Sequence, residues 1–210
     1  MLEAEREQLA EACRRLSDLV IGTAGNVSVR AGDHVVVTPS GCVFDDVDAG
    51  DMTVVSMDGE KVDGPYGPTS ELALHLAVYE RMGAGAVVHT HAPYATALSC
   101  VLDEVPAVHY GMLQLGGSLR VAPYATFGTE ELAAHVQRAL EGRTACLMQN
   151  HGAVNYAHDL EYAVDSALLV EWACQLYWNA RAIGTPRALT DAELQDVATQ
   201  VAQLGYGKTK

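Results

Sequence analysis

The sequence predicts an α/β fold, a single-domain αβα sandwich around a mainly antiparallel central sheet. Three observations carry this expectation. Helix-period and strand-type segments alternate along the chain. Several neighbouring strand segments are joined by links too short for a crossover, which suits antiparallel pairing. The chain has 210 residues, of which 49% are hydrophobic. That is the length of one domain with a sizeable core, and it excludes a disordered chain.

The elements follow in order. Residues 2–20 predict an amphipathic helix, because Leu9, Cys13, Leu16 and Val20 recur at three- and four-residue steps opposite a charged face. Gly22 and Gly25 stop it. Residues 26–30 and 34–38 are short β-type runs with Ala31-Gly32-Asp33 as their turn, and 53–56 is a further strand before a turn at 57–60. Pro65 and Pro68 bracket a loop. From Thr69 or Ser70 to about Met82 the pattern is helical, with Leu72, Leu76 and Tyr79 on one face and a Ser/Thr cap in front. Residues 86–91 predict a strand, 94–102 a short helix and 119–122 a strand. Thr129 caps a helix running to about Leu140. Strands at 145–149 and 153–156 flank Asn150-His151-Gly152, and 160–182 is a long helix. Thr190-x-x-Glu193 is a capping box that opens the last helix. Residues 205–210 form a polar tail, expected to be flexible. No composition shift marks a linker, so 1–210 is expected to be one domain.

Charge narrows the function classes. Lys and Arg number 13 against 27 Asp and Glu, a formal net charge of −14. That argues against nucleic acid, which needs clustered cations, and against an anionic membrane surface. No apolar run approaches the roughly 20 residues that span a bilayer. The N-terminus lacks the basic start and apolar stretch of a signal peptide. The five cysteines, Cys13, Cys42, Cys100, Cys146 and Cys174, form no Cys-x-x-Cys pair. Each is expected to be a small buried apolar residue in a reducing, cytoplasmic protein.

Two constellations could carry chemistry. In a strand, residues two apart share a face, so His89 and His91 project together as a bidentate start for a metal such as zinc. His151 stands at the junction of two strands, and Glu71 lies in the first turn of a helix. Three histidines and a carboxylate suit a catalytic zinc. Spacing alone leaves convergence and scattered structural roles equally open. The second constellation is Gly22-Thr23-Ala24-Gly25-Asn26, Thr38-Pro39-Ser40-Gly41 and Pro68-Thr69-Ser70. Glycines, backbone N–H groups and hydroxyls can hold a phosphate without a lysine, with Ser70 at the positive end of a helix. Ordinary turns and caps are the bland reading of each segment. His75 and His135 fall within helices, His34 and His158 near turns, and His109 packs beside Tyr110; none is assigned chemistry. Trp172, Tyr177 and Trp178 on the long helix suit core or subunit packing.

Taken together and in order, several segments resemble the zinc-dependent class II aldolases of the aldolase/adducin superfamily, above all the L-fuculose-1-phosphate aldolases. They are Gly-Thr-Ala-Gly-Asn-Val-Ser-Val-Arg at 22–30, Thr-Pro-Ser-Gly at 38–41, Ser-Glu at 70–71, His-Thr-His at 89–91, Tyr-Ala-Thr-Phe-Gly-Thr at 124–129 and Asn-His-Gly at 150–152. The resemblance runs from about residue 22 to Tyr206. It implies one zinc per subunit on His89, His91 and His151. Glu71 is then the fourth ligand at rest and the base during turnover. Thr23, Asn26, Ser40, Gly41, Thr69 and Ser70 would cradle the substrate phosphate. Tyr110 would donate a proton to a neighbouring subunit's site, and Tyr206 would help close the site. A four-fold homotetramer with interfacial sites is implied. Ser40 and Thr69 each exchange one hydroxyl residue for the other relative to the family pattern. Residues 111–115 depart from it near the aldehyde end, which leaves the substrate open.

The reaction implied is reversible cleavage of a ketose 1-phosphate, such as L-fuculose 1-phosphate, to dihydroxyacetone phosphate and an aldehyde, here L-lactaldehyde. A metal route needs no Schiff-base lysine, and Lys61, Lys208 and Lys210 all lie in expected turns or tail. The resemblance also admits a ribulose-phosphate 4-epimerase, which would favour Asp where Glu71 stands, a ketose-phosphate dehydratase, or an adducin-like binding module, which would lack the three histidines.

Overall fold

The computed structural model describes residues 1–205, and Tyr206 and the rest of the tail lie outside the described residues. Valine and alanine runs form the sheet. Its strands are β1 (Asn26–Ala31), β2 (His34–Val37), β3 (Thr53–Ser56), β4 (Lys61–Asp63), β5 (Ala86–Thr90), β6 (Glu104–Val105), β7 (Leu119–Ala122), β8 (Ala145–Met148) and β9 (Gly152–Ala157). Across the sheet the order is β4-β3-β2-β1-β5-β9-β8-β7-β6. Neighbours are antiparallel except β7 and β8, as the short links require.

Alternation along each strand feeds two separate cores. Val27, Val29, Val36, Ala86, Val88 and Leu147 face one side, against α1 (Glu3–Leu16), α3 (Pro93–Ser99) and α5 (Leu160–Ile183). Val35, Val37, Val87, Cys146 and Val154 face the other, against α2 (Leu72–Met82) and α4 (Glu130–Ala139). Helices on both faces of one sheet make the expected αβα sandwich. The last helix, α6 (Asp191–Leu204), opens with the Thr190–Glu193 capping box, and Thr129 caps α4 by accepting from Leu132 N–H.

Several local expectations are corrected. No side chain caps α2; Glu71 occupies its N-cap position, and Thr69 Oγ1 accepts from the Glu71 N–H instead. The buried face of α2 is Leu74, His75, Val78 and Tyr79, while Leu72 and Leu76 are half-buried. Those two leucines pack at the margin of this core, beside the Gly59 turn. Lys61 sits in edge strand β4, not in a turn, and it is exposed. Strands β4 and β6 are too short to show periodicity. Cys13, Cys146 and Cys174 are buried as expected, but Cys42 is half-buried and Cys100 is exposed at the end of α3. Among the described residues no helix is long and apolar enough to cross a membrane.

Candidate active site

Strand β5 delivers His89 opposite Asn26 of β1, on the α2 side of the sheet. His89 is fully buried, and its Nδ1 donates to the Ala153 carbonyl at 2.9 Å. That donor leaves the Nε2 lone pair aimed into the site. His91 follows directly after the strand, its Nε2 2.9 Å from His89 Nε2. His151 comes from the β8–β9 turn, where Asn150 takes a left-handed φ of 57° and His151 N–H donates to Met148 O at 3.1 Å. Gly152 makes that turn possible: a Cβ there would meet the Thr90 carbonyl oxygen at 2.2 Å. Gly25 is constrained similarly, with φ +104° and a would-be Cβ 2.7 Å from Val20 Cγ1.

The three histidines converge. Their ring centroids lie 4.7, 4.9 and 4.8 Å apart, and one nitrogen from each falls within 4.8 Å of the others. Glu71 closes the group from the start of α2. Its Oε2 is 3.1 Å from His89 Nε2 and its Oε1 is 3.5 Å from His151 Nε2. Burial opposes a charge on Glu71, but His89, the Asn26 amide and His151 outweigh it and hold the carboxyl well below its usual range. Burial also pushes His91 and His151 down to about 4, with His89 adding to the effect. Burial disfavours a proton on His89, yet the Glu71 carboxylate wins and raises its affinity for one.

This donor set fits a divalent metal. Glu71 Oε1 is buried without a hydrogen-bond partner. Three imidazole nitrogens crowd together, and His89 has already spent its Nδ1 proton outward. A cation of nitrogen and oxygen preference would satisfy all four groups at once.

Beside the histidines opens a cleft of about 350 Å³, lined by Thr23, Gly25, Asn26, Gly41, Thr69, Ser70, Glu71, His91 and His151. Backbone contacts bring its two loops together. Pro39 bridges Pro68, Thr69 N–H donates to Thr38 O at 3.1 Å, and Ser40 N–H donates to Gly67 O at 3.1 Å. Ser40 is exposed and lines a neighbouring depression with Cys42, Asp46 and Tyr66, not this cleft. The chain turns at Gly41, φ +74°, and carries Pro39 and Gly41, but not Ser40, into the cleft wall. Exposed Tyr124 and Phe127 complete the mouth.

Tyr110 stands apart. It opens a 3-10 turn, Tyr110–Leu115, is 54% exposed and does not line its own chain's cleft. It packs on His109, whose ring meets Trp172 of α5 edge-on with centroids 4.8 Å apart. His75, read as bland from sequence, is fully buried and hydrogen-bonds to both Asn26 and Ser28. The missed signal is spacing: Glu71, His75 and Tyr79 fall four apart on one helix face, opposite Asn26 and Ser28, two apart on β1.

With this geometry in hand, residues 7–178 match the family model described as the Class II Aldolase and Adducin N-terminal domain. The chain belongs to that family. It is a class II aldolase, a lyase whose relatives carry aldolase names. A 5-methylthioribulose-1-phosphate/5-deoxyribulose-1-phosphate aldolase of Rhodospirillum rubrum is 40% identical over 206 residues, covering 96% of this aldolase and 93% of the relative. An L-fuculose phosphate aldolase of Escherichia coli is 39% identical over 203 residues, covering 94% of each chain. A solved L-fuculose 1-phosphate aldolase superposes with a TM-score of 0.90 at 35% identity, over 95% of this aldolase and 96% of that chain.

Proposed function

We propose that the enzyme reversibly cleaves a ketose 1-phosphate to dihydroxyacetone phosphate and an aldehyde, with zinc on His89, His91 and His151. The observation that carries this is the buried carboxylate of Glu71, held against three convergent imidazoles at the edge of a hydroxyl- and glycine-lined cleft. Zinc, when bound, supplies Lewis acidity toward the C2 oxygen and C3 hydroxyl of the substrate.

The chain's own groups do the rest. Thr23, Gly41, Thr69 and Ser70 lie on the cleft wall where backbone N–H groups and hydroxyls can take the phosphate. The net charge of −14 does not oppose this, because local dipoles set the field in the cleft. In the condensation direction Glu71 takes the C3 proton; the C–H electron pair becomes the C2–C3 π bond as the C2 carbonyl π pair moves onto its oxygen. The carbon then adds to the aldehyde, and Tyr110 of a neighbouring chain protonates the new alkoxide. Exposure of Tyr110, away from its own chain's cleft, supports that arrangement and a homotetramer. In cleavage the same groups act in reverse. Tyr206 keeps the closing role that the family resemblance implies. The enzyme is assigned to the cytoplasm.

Two substrates compete. L-Fuculose 1-phosphate follows from the resemblance, and 5-deoxyribulose 1-phosphate is favoured by the relative at 40% identity. Both end in a methyl group, which suits the rings of Tyr124 and Phe127 at the cleft mouth. The test is a panel of ketose 1-phosphates, including the 5-methylthio compound, with identification of both products. Dihydroxyacetone phosphate from at least one is expected; epimerised phosphate without it would point to the 4-epimerase.

A further inference from the structure

Behind Glu71 runs a line of buried hydrogen bonds. Tyr79 Oη and Ser28 Oγ are 2.7 Å apart, Ser28 Oγ and His75 Nδ1 2.6 Å, His75 Nε2 and Asn26 Oδ1 2.5 Å, and Asn26 Nδ2 and Glu71 Oε2 3.0 Å. All five residues are buried. Donor chemistry gives the line one direction. A carboxylate only accepts, so the Asn26 amide nitrogen must face Glu71 and its carbonyl must face His75. His75 Nε2 must then donate. Its Nδ1 is left to accept from the Ser28 hydroxyl when the ring is neutral, and the Tyr79 hydroxyl donates to Ser28.

We infer that this chain decides which oxygen of Glu71 acts as base, with His75 as its positioning residue. Oε2 is fixed by the Asn26 amide and lies beside His89. Oε1 is buried and has no hydrogen-bond partner. His151 Nε2 stands 3.5 Å from it, so when Glu71 is not serving as a ligand Oε1 is the oxygen left with a lone pair for the C3 proton. Asn26 lines the cleft, but its carbonyl is spent on His75 and one N–H on Glu71. Its first task is thus to hold the base, with one N–H left over for substrate. A ring that lost its tautomer would let the Asn26 amide turn over and set an oxygen against the carboxylate.

The inference rests on the proposed function, and its test uses the half-reaction that isolates the base. Metal-loaded protein is incubated in heavy water with dihydroxyacetone phosphate alone, and loss of the C3 proton is followed by NMR. His75→Leu is expected to slow exchange by roughly 10–100-fold, the usual cost of losing a supporting partner behind a metal site. Metal content and KM for the ketose phosphate should change little. His75→Gln, which offers a donor and an acceptor of similar reach, should recover most of the rate. Nitrogen NMR of His75 in the wild-type protein should show Nε2 protonated and Nδ1 bare. Ser28→Ala removes only a hydroxyl and is read in the same way should His75→Leu not fold.

Exchange at the wild-type rate in a folded His75→Leu or Ser28→Ala protein would overturn the inference. So would equal loss in His75→Leu and His75→Gln, or the opposite tautomer. Wild-type protein that neither exchanges nor cleaves would instead overturn the functional reading on which this one depends.

Discussion

Asn26 and His89 stand opposite one another in the β1–β5 ladder, and Glu71 closes on both, 3.0 Å from Asn26 Nδ2 and 3.1 Å from His89 Nε2. Two strands and one helix start thus meet at a single carboxylate. The register of the sheet is therefore part of the site. A one-residue slip of either strand would turn its own site residue to the far face.

Metal binding follows from the three histidines. The purified protein is expected to hold one divalent ion per chain, and His91→Ala should lose most of it. Elemental analysis of both proteins checks this; full retention by the variant would remove His91 from the ligand set.

Gly152→Ala should destabilise the protein by about 1–3 kcal/mol, the usual cost of forcing extra atoms into a packed site. The added Cβ would meet the Thr90 carbonyl at 2.2 Å, so the turn must move and carry His151 with it. Thermal unfolding and metal content are expected to fall together. A stable variant with normal metal would show that the turn can shift without moving His151.

The metal-free protein should lose stability as pH falls. In the unfolded chain His75 takes its proton near 6.5, whereas burial, with His89 adding, pushes it down to about 3 in the folded one. The unfolded state therefore binds more protons between those values. Stability is full above pH 6.5 and declines below it by about 1.4 kcal/mol per pH unit for this one group. His91 and His151, both pushed down to about 4, act in the same direction, while His89, where the Glu71 carboxylate outweighs burial and raises the proton affinity, acts against them. Urea unfolding at pH 7 and pH 5 measures the decline, and His75→Gln should make it shallower by this one group's share.

Tyr110→Phe should keep metal and fold while turnover drops by roughly 10²–10⁴, the usual contribution of a proton donor. Sedimentation should show a tetramer for both proteins. An active wild-type monomer would place the proton donor elsewhere.

Much of this architecture is legible in the sequence. Long elements announce themselves by period and cap, as with Thr129 before α4 and Thr190-x-x-Glu193 before α6. The His-x-His pair is visible because strand geometry puts both rings on one face. What stays hidden depends on contacts between distant segments. Nothing near Ser40 in sequence reveals that its N–H is spent on Gly67, outside the cleft. His75 looks like any helical histidine until β1 brings Asn26 and Ser28 against it. The short strands β4 and β6 exist only through their partners.

The central claim is that Glu71, beside a metal held by His89, His91 and His151, carries the C3 proton of a reversible aldol reaction, taking it in condensation and returning it in cleavage. The direct measurement compares wild-type protein with Glu71→Gln, both loaded with zinc, for dihydroxyacetone phosphate formed from the best ketose 1-phosphate. Gln fills the same space but can neither take nor return a proton. A loss of roughly 10²–10⁴ in rate, with the fold intact, is predicted. A near-normal rate in Glu71→Gln would contradict the claim.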